Sequence, residues 1–325
     1  MDALACDGTT RPAPRPDRWT AVMNPAAGRG RGRARVPQVA AALATSDLDV
    51  TVHVTADADD LVRRARDAFA AGRGVIACGG DGTVAAVAGA ATECGGALGV
   101  VPGGSGNDLA RHLGVPRGDV AAALDVVATG DVACVDLGRA EAADGTVAWF
   151  TTVANTGFDA EANRWANTVD RVTGTPLYVL AVLRTLTTYH PRTVRITVDG
   201  AVTDTAAWLV AVGNTRSYAS GMVITPAASV HDGLLDVCVV GPVSRPDFLR
   251  TFPSVFRGAH VQHPSVTVLR GSEVVIEAPD DGDPSTPPLE LWASGERVGP
   301  LPARLRPVPA ALRVMVPAGA GVSSR

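Results

Sequence analysis

Between Trp19 and about Val135, short apolar runs alternate with longer stretches whose apolar residues recur at helical spacing. Strands are expected at 20–23, 50–55, 74–78, 99–101 and 132–137. Between the second and third, residues 57–71 place Leu61, Ala65, Ala68 and Phe69 on one face and keep Asp59, Asp60, Arg63, Arg64 and Asp67 mostly outside. That is a surface helix packed on a sheet. The alternation predicts an α/β N-terminal domain with a parallel sheet and crossover helices. After about residue 137 the texture changes to short β-rich runs at 194–198, 207–212, 235–240, 266–269 and 274–277. A second, mainly antiparallel β domain is expected there, interrupted by helical patterns at 176–189 and 246–256 that each open with a proline. Residues 280–288 are too rich in Pro, Asp and Gly for a regular element and read as a mobile loop.

Three glycine-rich segments follow strands of the first domain: Asn24-Pro25-Ala26-Ala27-Gly28-Arg29-Gly30, Gly79-Gly80-Asp81-Gly82-Thr83 and Pro102-Gly103-Gly104-Ser105-Gly106-Asn107-Asp108. Each is expected at the carboxyl end of a parallel strand, where open α/β sheets bind ligands and helix N-termini direct free N–H groups at anions. Glycines let the main chain approach a phosphate, and Asp81 adds a carboxylate able to hold a metal or accept a proton. A plain strand-to-helix turn explains any one such loop, but three in register favour phosphate binding. Thr83 is available to cap the helix after Asp81, and Asn107 or Asp108 could cap a short helix at 109–113 or face ligand. The arginines 29, 31, 33 and 35 after the first loop suit phosphates or an anionic membrane surface as well as a solvated helix face.

Composition narrows the chemistry. At 325 residues, 46% hydrophobic and 19% charged, the chain is of ordinary globular make-up, about two domains in size. A net charge of -4 gives no global field for a polyanion, so no nucleic-acid partner is expected. The sequence contains no lysine, and all 29 basic residues are arginine. Walker A loops, protein kinases and pyridoxal enzymes are thereby excluded, since each needs a lysine. The five cysteines are odd in number and form no CxxC pair, which fits free thiols in a reducing cytosol. No apolar run reaches the roughly 18 to 20 residues of a membrane span. Residues 1–17, with early acids and several prolines, read as a loose tail without a signal peptide. The histidines at 190, 231, 260 and 263 lack metal-ligand spacing and read as surface or loop residues. No GxSxG elbow supports Ser-His-Asp hydrolysis.

The ordered set NPAAG at 24–28, GGDGT at 79–83 and PGGSGNDLAR at 102–111 resembles the diacylglycerol kinase catalytic-domain family, which includes bacterial lipid kinases and the sphingosine and ceramide kinases. TGFDAEA at 156–162, the GN at 213–214 with ITPAASVHDGLLDV at 224–237, and SGERVGPLP at 294–302 extend the resemblance over nearly the whole chain. GGDGT alone is shared with NAD kinases, whose later motifs are absent. The resemblance implies a nucleotide-binding α/β domain over 18–136 with 301–317 returning to it, a β-sandwich-like substrate domain over 137–300, and a short tail from 318. It implies a cleft for ATP, Mg2+ and a lipid hydroxyl.

By the same resemblance Asn24, Pro25, Gly28, Gly79, Gly80, Gly82, Thr83, Gly104, Ser105, Gly106 and Asn107 would bind the nucleotide. Asp81 would contact Mg2+ or the acceptor hydroxyl, Asp108 and Asp159 would serve the substrate, and Asp232 would help hold a structural Mg2+. A helix cap, a surface turn and a type I Asp-Gly turn are the competing readings of Asp108, Asp159 and Asp232. Where most bacterial members have Asp-Gly-Glu, this chain has Ser294-Gly295-Glu296, so Glu296 would be the surviving base or metal-network member. Either Asp81 or Glu296 takes the hydroxyl proton. The expected activity is ATP- and Mg2+-dependent transfer to diacylglycerol or a related lipid alcohol. The chain would work in the cytoplasm with transient contact at the inner membrane surface, and a homodimer is compatible with the sequence. The alternatives are a non-membrane alcohol in specialised metabolism, or a nucleotide-binding pseudokinase created by Ser294.

Overall fold

The computed structural model describes residues 14–26, 31–166, 175–279 and 288–319. Gly28 and Arg29 of the first glycine loop, the expected mobile stretch at 280–287, and most of both tails lie outside the described residues. Two units make up the chain. The first takes in the described residues of Met1–Leu137, Val230–Asp232 and Val308–Arg325.

In the first unit β1 (Arg18–Met23), α1 (Arg31–Ala44), β2 (Asp49–Val54), α2 (Ala58–Ala70), β3 (Gly74–Gly79), α3 (Asp81–Cys94), β4 (Ala97–Pro102), α4 (Asp108–His112) and α5 (Val120–Thr129) follow one another. The strands lie parallel in the order β2-β1-β3-β4. After β1 the chain therefore turns one way to β2 and then crosses back to β3, so the connections diverge between β1 and β3. Arg313 and Val314 add a parallel partner outside Ala97 and Leu98 of β4. β3 and β4 are buried along their whole length, as strands covered on both faces require. α2 forms as its spacing predicts: Asp57 accepts a hydrogen bond from the Asp60 N–H, and Leu61, Ala65, Ala68 and Phe69 are buried.

The second unit comprises the described residues of Gly138–Ser229 and Gly233–Pro307. β5 (Asp131–Ala142) leads into β6 (Val147–Phe150), β7 (Val153–Gly157), α6 (Phe158–Ala166), α7 (Thr175–Thr188), β8 (Arg192–Val198), β9 (Ala201–Ala207) and β10 (Leu209–Gly213). There follow β11 (Leu235–Val240), α8 (Arg245–Thr251), β12 (Val266–Gly271), β13 (Val274–Glu277), β14 (Glu290–Ala293), β15 (Glu296–Pro300) and β16 (Ala303–Val316). One antiparallel sheet runs β12-β11-β10-β7-β14-β15. Facing it, β13 pairs antiparallel with β8 and with the start of β16, and β9 lies outside β8. Alternate residues of β8 (Val194, Ile196, Val198) share one buried cluster with Val210, Val212, Leu235 and Val237 of the other sheet. This is a β-sandwich.

Three expectations need correction. The helical pattern at 246–256 divides into α8 and a 3₁₀ segment, Phe252–Arg257, because Pro253 has no N–H to continue the α-helical ladder. His260, expected at the surface, is 5% exposed, held beneath Ile224 by a 3.1 Å contact from Nε2 to that residue's carbonyl. Free thiols are found at Cys78, Cys94 and Cys238, whereas Cys134 is disulfide-bonded. Burial pushes the Cys78 and Cys238 thiols up to about 12, which keeps both protonated and poor as nucleophiles.

Candidate functional site

In the first unit β1, β3 and β4 each deliver a glycine-rich loop at the same edge of the sheet. Gly80 is the N-cap of α3 and Asp81 its first residue, so the carboxylate stands at the positive end of a helix. Asp81 Oδ2 accepts from the Asn107 N–H at 2.8 Å and Oδ1 from the Asp108 N–H at 2.6 Å. One side chain thus joins the second loop to the third. Each oxygen has one N–H donor and retains a lone pair for a cation or a hydroxyl. The main chains also touch directly, with the Gly103 N–H donating to the Gly79 carbonyl at 2.6 Å. A Cβ on Gly104 would lie 2.6 Å from Gly80 Cα, and one on Gly106 would lie 2.4 Å from Asp81 Oδ2. Glycine at these positions is demanded by loop-to-loop packing, and the same lack of side chains leaves a cradle for an anion.

Asn24 closes the first loop, its Oδ1 accepting from the Ala26 N–H at 2.9 Å across the Pro25 turn. Its Nδ2 donates to Thr83 Oγ1 at 3.2 Å. Thr83 therefore does not cap α3 as expected; it ties the second loop to the first. Arg35 on α1 donates to the Pro102 carbonyl at 3.1 Å, linking the first crossover helix to the third loop. The Arg33 side chain is exposed. Ser105 is exposed at the tip of the third loop, and Gly82 sits half-buried in the first turn of α3.

Asn107 and Asp108 act otherwise than as caps. Asn107, at φ 52, occupies the N-cap position of α4 without a side-chain cap bond. Its amide instead clasps Gly104, accepting from the N–H at 2.9 Å and donating to the carbonyl at 2.7 Å. Asp108 is 3% exposed, with Arg111 Nε 3.5 Å from its Oδ1. Asp232 belongs to a turn before β11 in which Gly233 adopts φ 66. Beside it the Asp136 N–H donates to the Val230 carbonyl at 2.7 Å, and burial lowers the His231 pKa against the opposing pull of Asp136. Among the described residues no three His, Cys, Asp or Glu side chains converge as a metal site. A magnesium ion still fits Asp81, because that ion commonly takes one or two carboxylates and completes its shell with phosphate oxygens and water.

In the second unit Asp159 is 2% exposed in the first turn of α6, which overturns the surface-turn reading. Asn163 Nδ2 lies 3.4 Å from its Oδ2. Asp159 borders an apolar pocket walled by Phe158, Leu209, Met222, Phe248, Phe252 and Val255. Phe158 packs edge-on against Trp208 at 5.9 Å and tilted against Phe248 at 5.0 Å, which fixes the wall. His260 and His263 are further polar members of the lining. Burial lowers the His260 pKa and keeps its imidazole neutral. Of its lining the sequence pointed to Asp159 alone, through the TGFDAEA motif; the apolar wall, assembled from α6, β10, α8 and the loops around them, carries no motif of its own.

Ser294 and Gly295 form the two-residue turn of the β14–β15 hairpin, at φ 52 and 84, the type I′ pattern that favours Asn, Asp and Gly. Ser294 Oγ is buried with no hydrogen-bond partner among the described residues. Glu296 opens β15. Its side chain reaches solvent but is partly enclosed, and that desolvation raises its pKa above the ordinary glutamate value of 4.5.

Residues 18–140 match the diacylglycerol kinase catalytic domain, and 152–316 match the YegS C-terminal NAD kinase beta sandwich-like domain. A diacylglycerol kinase of Mycobacterium tuberculosis is 37% identical over 300 residues, covering 92% of this chain and 94% of the relative. A diacylglycerol kinase of Bacillus subtilis is 26% identical over 285 residues, covering 86% and 90%. A crystal structure of a diacylglycerol kinase from Bacillus anthracis str. Sterne superposes with a TM-score of 0.68 over 94% of this chain and 98% of that one; at 20% identity this likeness speaks for the fold alone. The matched catalytic domain spans all three interlocked loops, and the matched second domain spans the sandwich and its pocket. The chain belongs to the diacylglycerol kinase catalytic-domain family.

Proposed function

We propose that this protein transfers the γ-phosphoryl group of ATP to the hydroxyl of diacylglycerol or a related lipid alcohol. The observation that carries the reading is the Asp81 carboxylate, held by the Asn107 and Asp108 N–H groups among three glycine loops at one sheet edge. Backbone N–H groups of Gly79, Gly80, Gly82, Ser105 and Gly106 would face the phosphates, with Asn24, Pro25 and Thr83 shaping the loops around them and Asn107 holding Gly104 in place; Gly28 is assigned to the nucleotide on its sequence position alone. Fixed dipoles of this kind stabilise charge without reorganising during the reaction. Mg2+, when bound, neutralises phosphate charge. Asp81 is its carboxylate ligand, through lone pairs that the two N–H donors leave available.

Glu296 is the base, since a carboxylate with a raised pKa is the better proton acceptor near neutral pH. Asp108 supports the third loop and Asp159 marks the polar border of the pocket. The pocket takes the apolar part of the acceptor, which an otherwise apolar wall recognises by burial. Asp232 contributes to a structural cation through its turn, completed by main-chain carbonyls. The enzyme works in the cytoplasm and meets its acceptor at a bilayer surface.

Purified protein with Mg2+ and γ-labelled ATP is expected to label a lipid when offered diacylglycerol, ceramide, sphingosine or a total extract from its source. Label confined to a water-soluble product removes the lipid acceptor. An inert wild type that gains transfer on Ser294→Asp substitution overturns the reading in favour of a pseudokinase.

A further inference from the structure

The wall of the apolar pocket has a second side. From Arg245 to Arg257, α8 and the following 3₁₀ segment turn Phe248, Thr251, Phe252 and Val255 toward the pocket. The reverse side carries Pro246, Leu249, Pro253 and Phe256 at spacings of three, four and three residues, all exposed. Leu249 is 42% and Phe256 51% exposed, and both are among the large apolar side chains that the surface leaves open. Arg245, Arg250 and Arg257 flank this stripe and are exposed too.

An outward stripe of apolar groups edged by arginine is the arrangement that lies in a membrane interface, with apolar groups at the acyl boundary and cations at anionic headgroups. Leu249 and Phe256 are not scattered singly: with Pro246 and Pro253 they make four exposed apolar residues within one eleven-residue stretch. The segment is also anchored for such use. Ser244 caps α8 by accepting from the Asp247 N–H at 3.3 Å, and Gly258 at φ 69 ends the 3₁₀ segment. Arg245 Nε donates to the Leu186 carbonyl at 2.8 Å, fixing the start of α8 to the end of α7. Asp247 is paired, 3.3 Å from both Arg250 and His263, so the one acid of the segment presents no free carboxylate to an anionic surface.

We infer that the outer face of residues 245–257 is the surface by which the protein docks on a bilayer containing anionic lipids. The inner face of that segment then forms the wall of the pocket that receives the acceptor's apolar part. This second clause rests on the lipid-kinase reading; the docking itself does not.

Flotation with vesicles tests it. Wild type is expected to float with vesicles of phosphatidylglycerol and phosphatidylcholine, to bind neutral phosphatidylcholine vesicles at least about fivefold less, and to be released by raised salt. The Leu249→Ser/Phe256→Ser double variant should bind the anionic vesicles at least about tenfold less, and Arg250→Gln/Arg257→Gln about threefold to tenfold less. Thermal melts of both variants should match wild type, because the four side chains are exposed. Binding of Leu249→Ser/Phe256→Ser equal to wild type, or equal binding of wild type to neutral and anionic vesicles, overturns the inference. Phosphorylation of dioctanoylglycerol in detergent micelles should be unchanged in both variants. If wild type floats through this face but phosphorylates no lipid, the docking surface stands and the lipid-kinase reading falls.

Discussion

In the first unit the candidate ligand surface is main chain: the second and third loops meet at distances that only glycine allows, Asp81 joins them through N–H groups of the third, and Asn24 ties the first loop to the second. In the second unit the candidate surface is side chain: aromatic and aliphatic groups from separate elements enclose a pocket with little backbone facing it. The two designs suit different ligands. A phosphate is the same in every nucleotide and is recognised by a fixed set of dipoles, whereas an apolar chain is recognised by shape, which side-chain exchange can adjust. Substitutions in the first unit should therefore cost turnover, and substitutions in the pocket should cost selectivity.

The sharpest way to break this contrast is Asp81→Asn. The amide retains size but loses charge, and it sets an NH2 group against the Asn107 or Asp108 N–H. Turnover in the labelled-ATP assay should fall by about three orders of magnitude, with the melting temperature lowered by loss of a charge-assisted bond, roughly 1.5 to 3 kcal/mol. An Asp81→Asn variant retaining a tenth of wild-type activity removes the carboxylate from the mechanism. Next is Gly104→Ala. Its Cβ would meet Gly80 Cα at 2.6 Å, main chain against main chain, so neither side can yield by rotating. A loss of about a hundredfold in kcat/KM and a destabilisation of roughly 1 to 3 kcal/mol are expected from the forced separation of the loops.

The same contrast decides what the sequence disclosed. GGDGT and PGGSGND are contiguous because a loop that binds through its backbone needs its glycines consecutively, and such runs can be read by eye. α2 was legible down to its four buried residues, since amphipathic spacing and an Asp cap are local signals. Beyond Phe158 and Asp159 of the TGFDAEA motif the pocket was not legible, because Leu209, Met222 and Phe252 stand far apart in sequence and each looks like any core residue. β9, reading AVTDTAA, has little apolar alternation to mark it because the strand is mostly exposed; its full-length antiparallel register with β8, in which Arg195 and Asp204 pair, defines it. The burial of His260 and Asp159 and the clasp of Asn107 on Gly104 are tertiary outcomes with no local signature.

Glu296→Gln comes third. Burial holds this carboxyl above 4.5, and a base must be ionised to accept a proton, so wild-type kcat/KM should rise as pH increases through that raised pKa and then level off. The Glu296→Gln substitution should lower turnover about a hundredfold and abolish the acidic limb. A limb that persists in the Glu296→Gln variant assigns the titration to another group and returns the base to Asp81.

The smallest expected effect belongs to the pocket, and it sharpens the contrast instead of breaking it. Phe252→Leu keeps an apolar wall but withdraws part of a ring that borders the pocket and stacks at 6.2 Å on Phe248. About 1 kcal/mol of burial is lost to any chain that reaches this wall, which corresponds to roughly a fivefold rise in KM. A long-chain diacylglycerol should show that rise with kcat unchanged, because the ring makes no contact that strengthens only in the transition state. Dioctanoylglycerol, with less chain to bury, should respond less. The two units would then separate in kinetics as they do in construction, with kcat following the loops and KM the pocket. Equal rises for long and short chains would place the selective contact elsewhere in the sandwich.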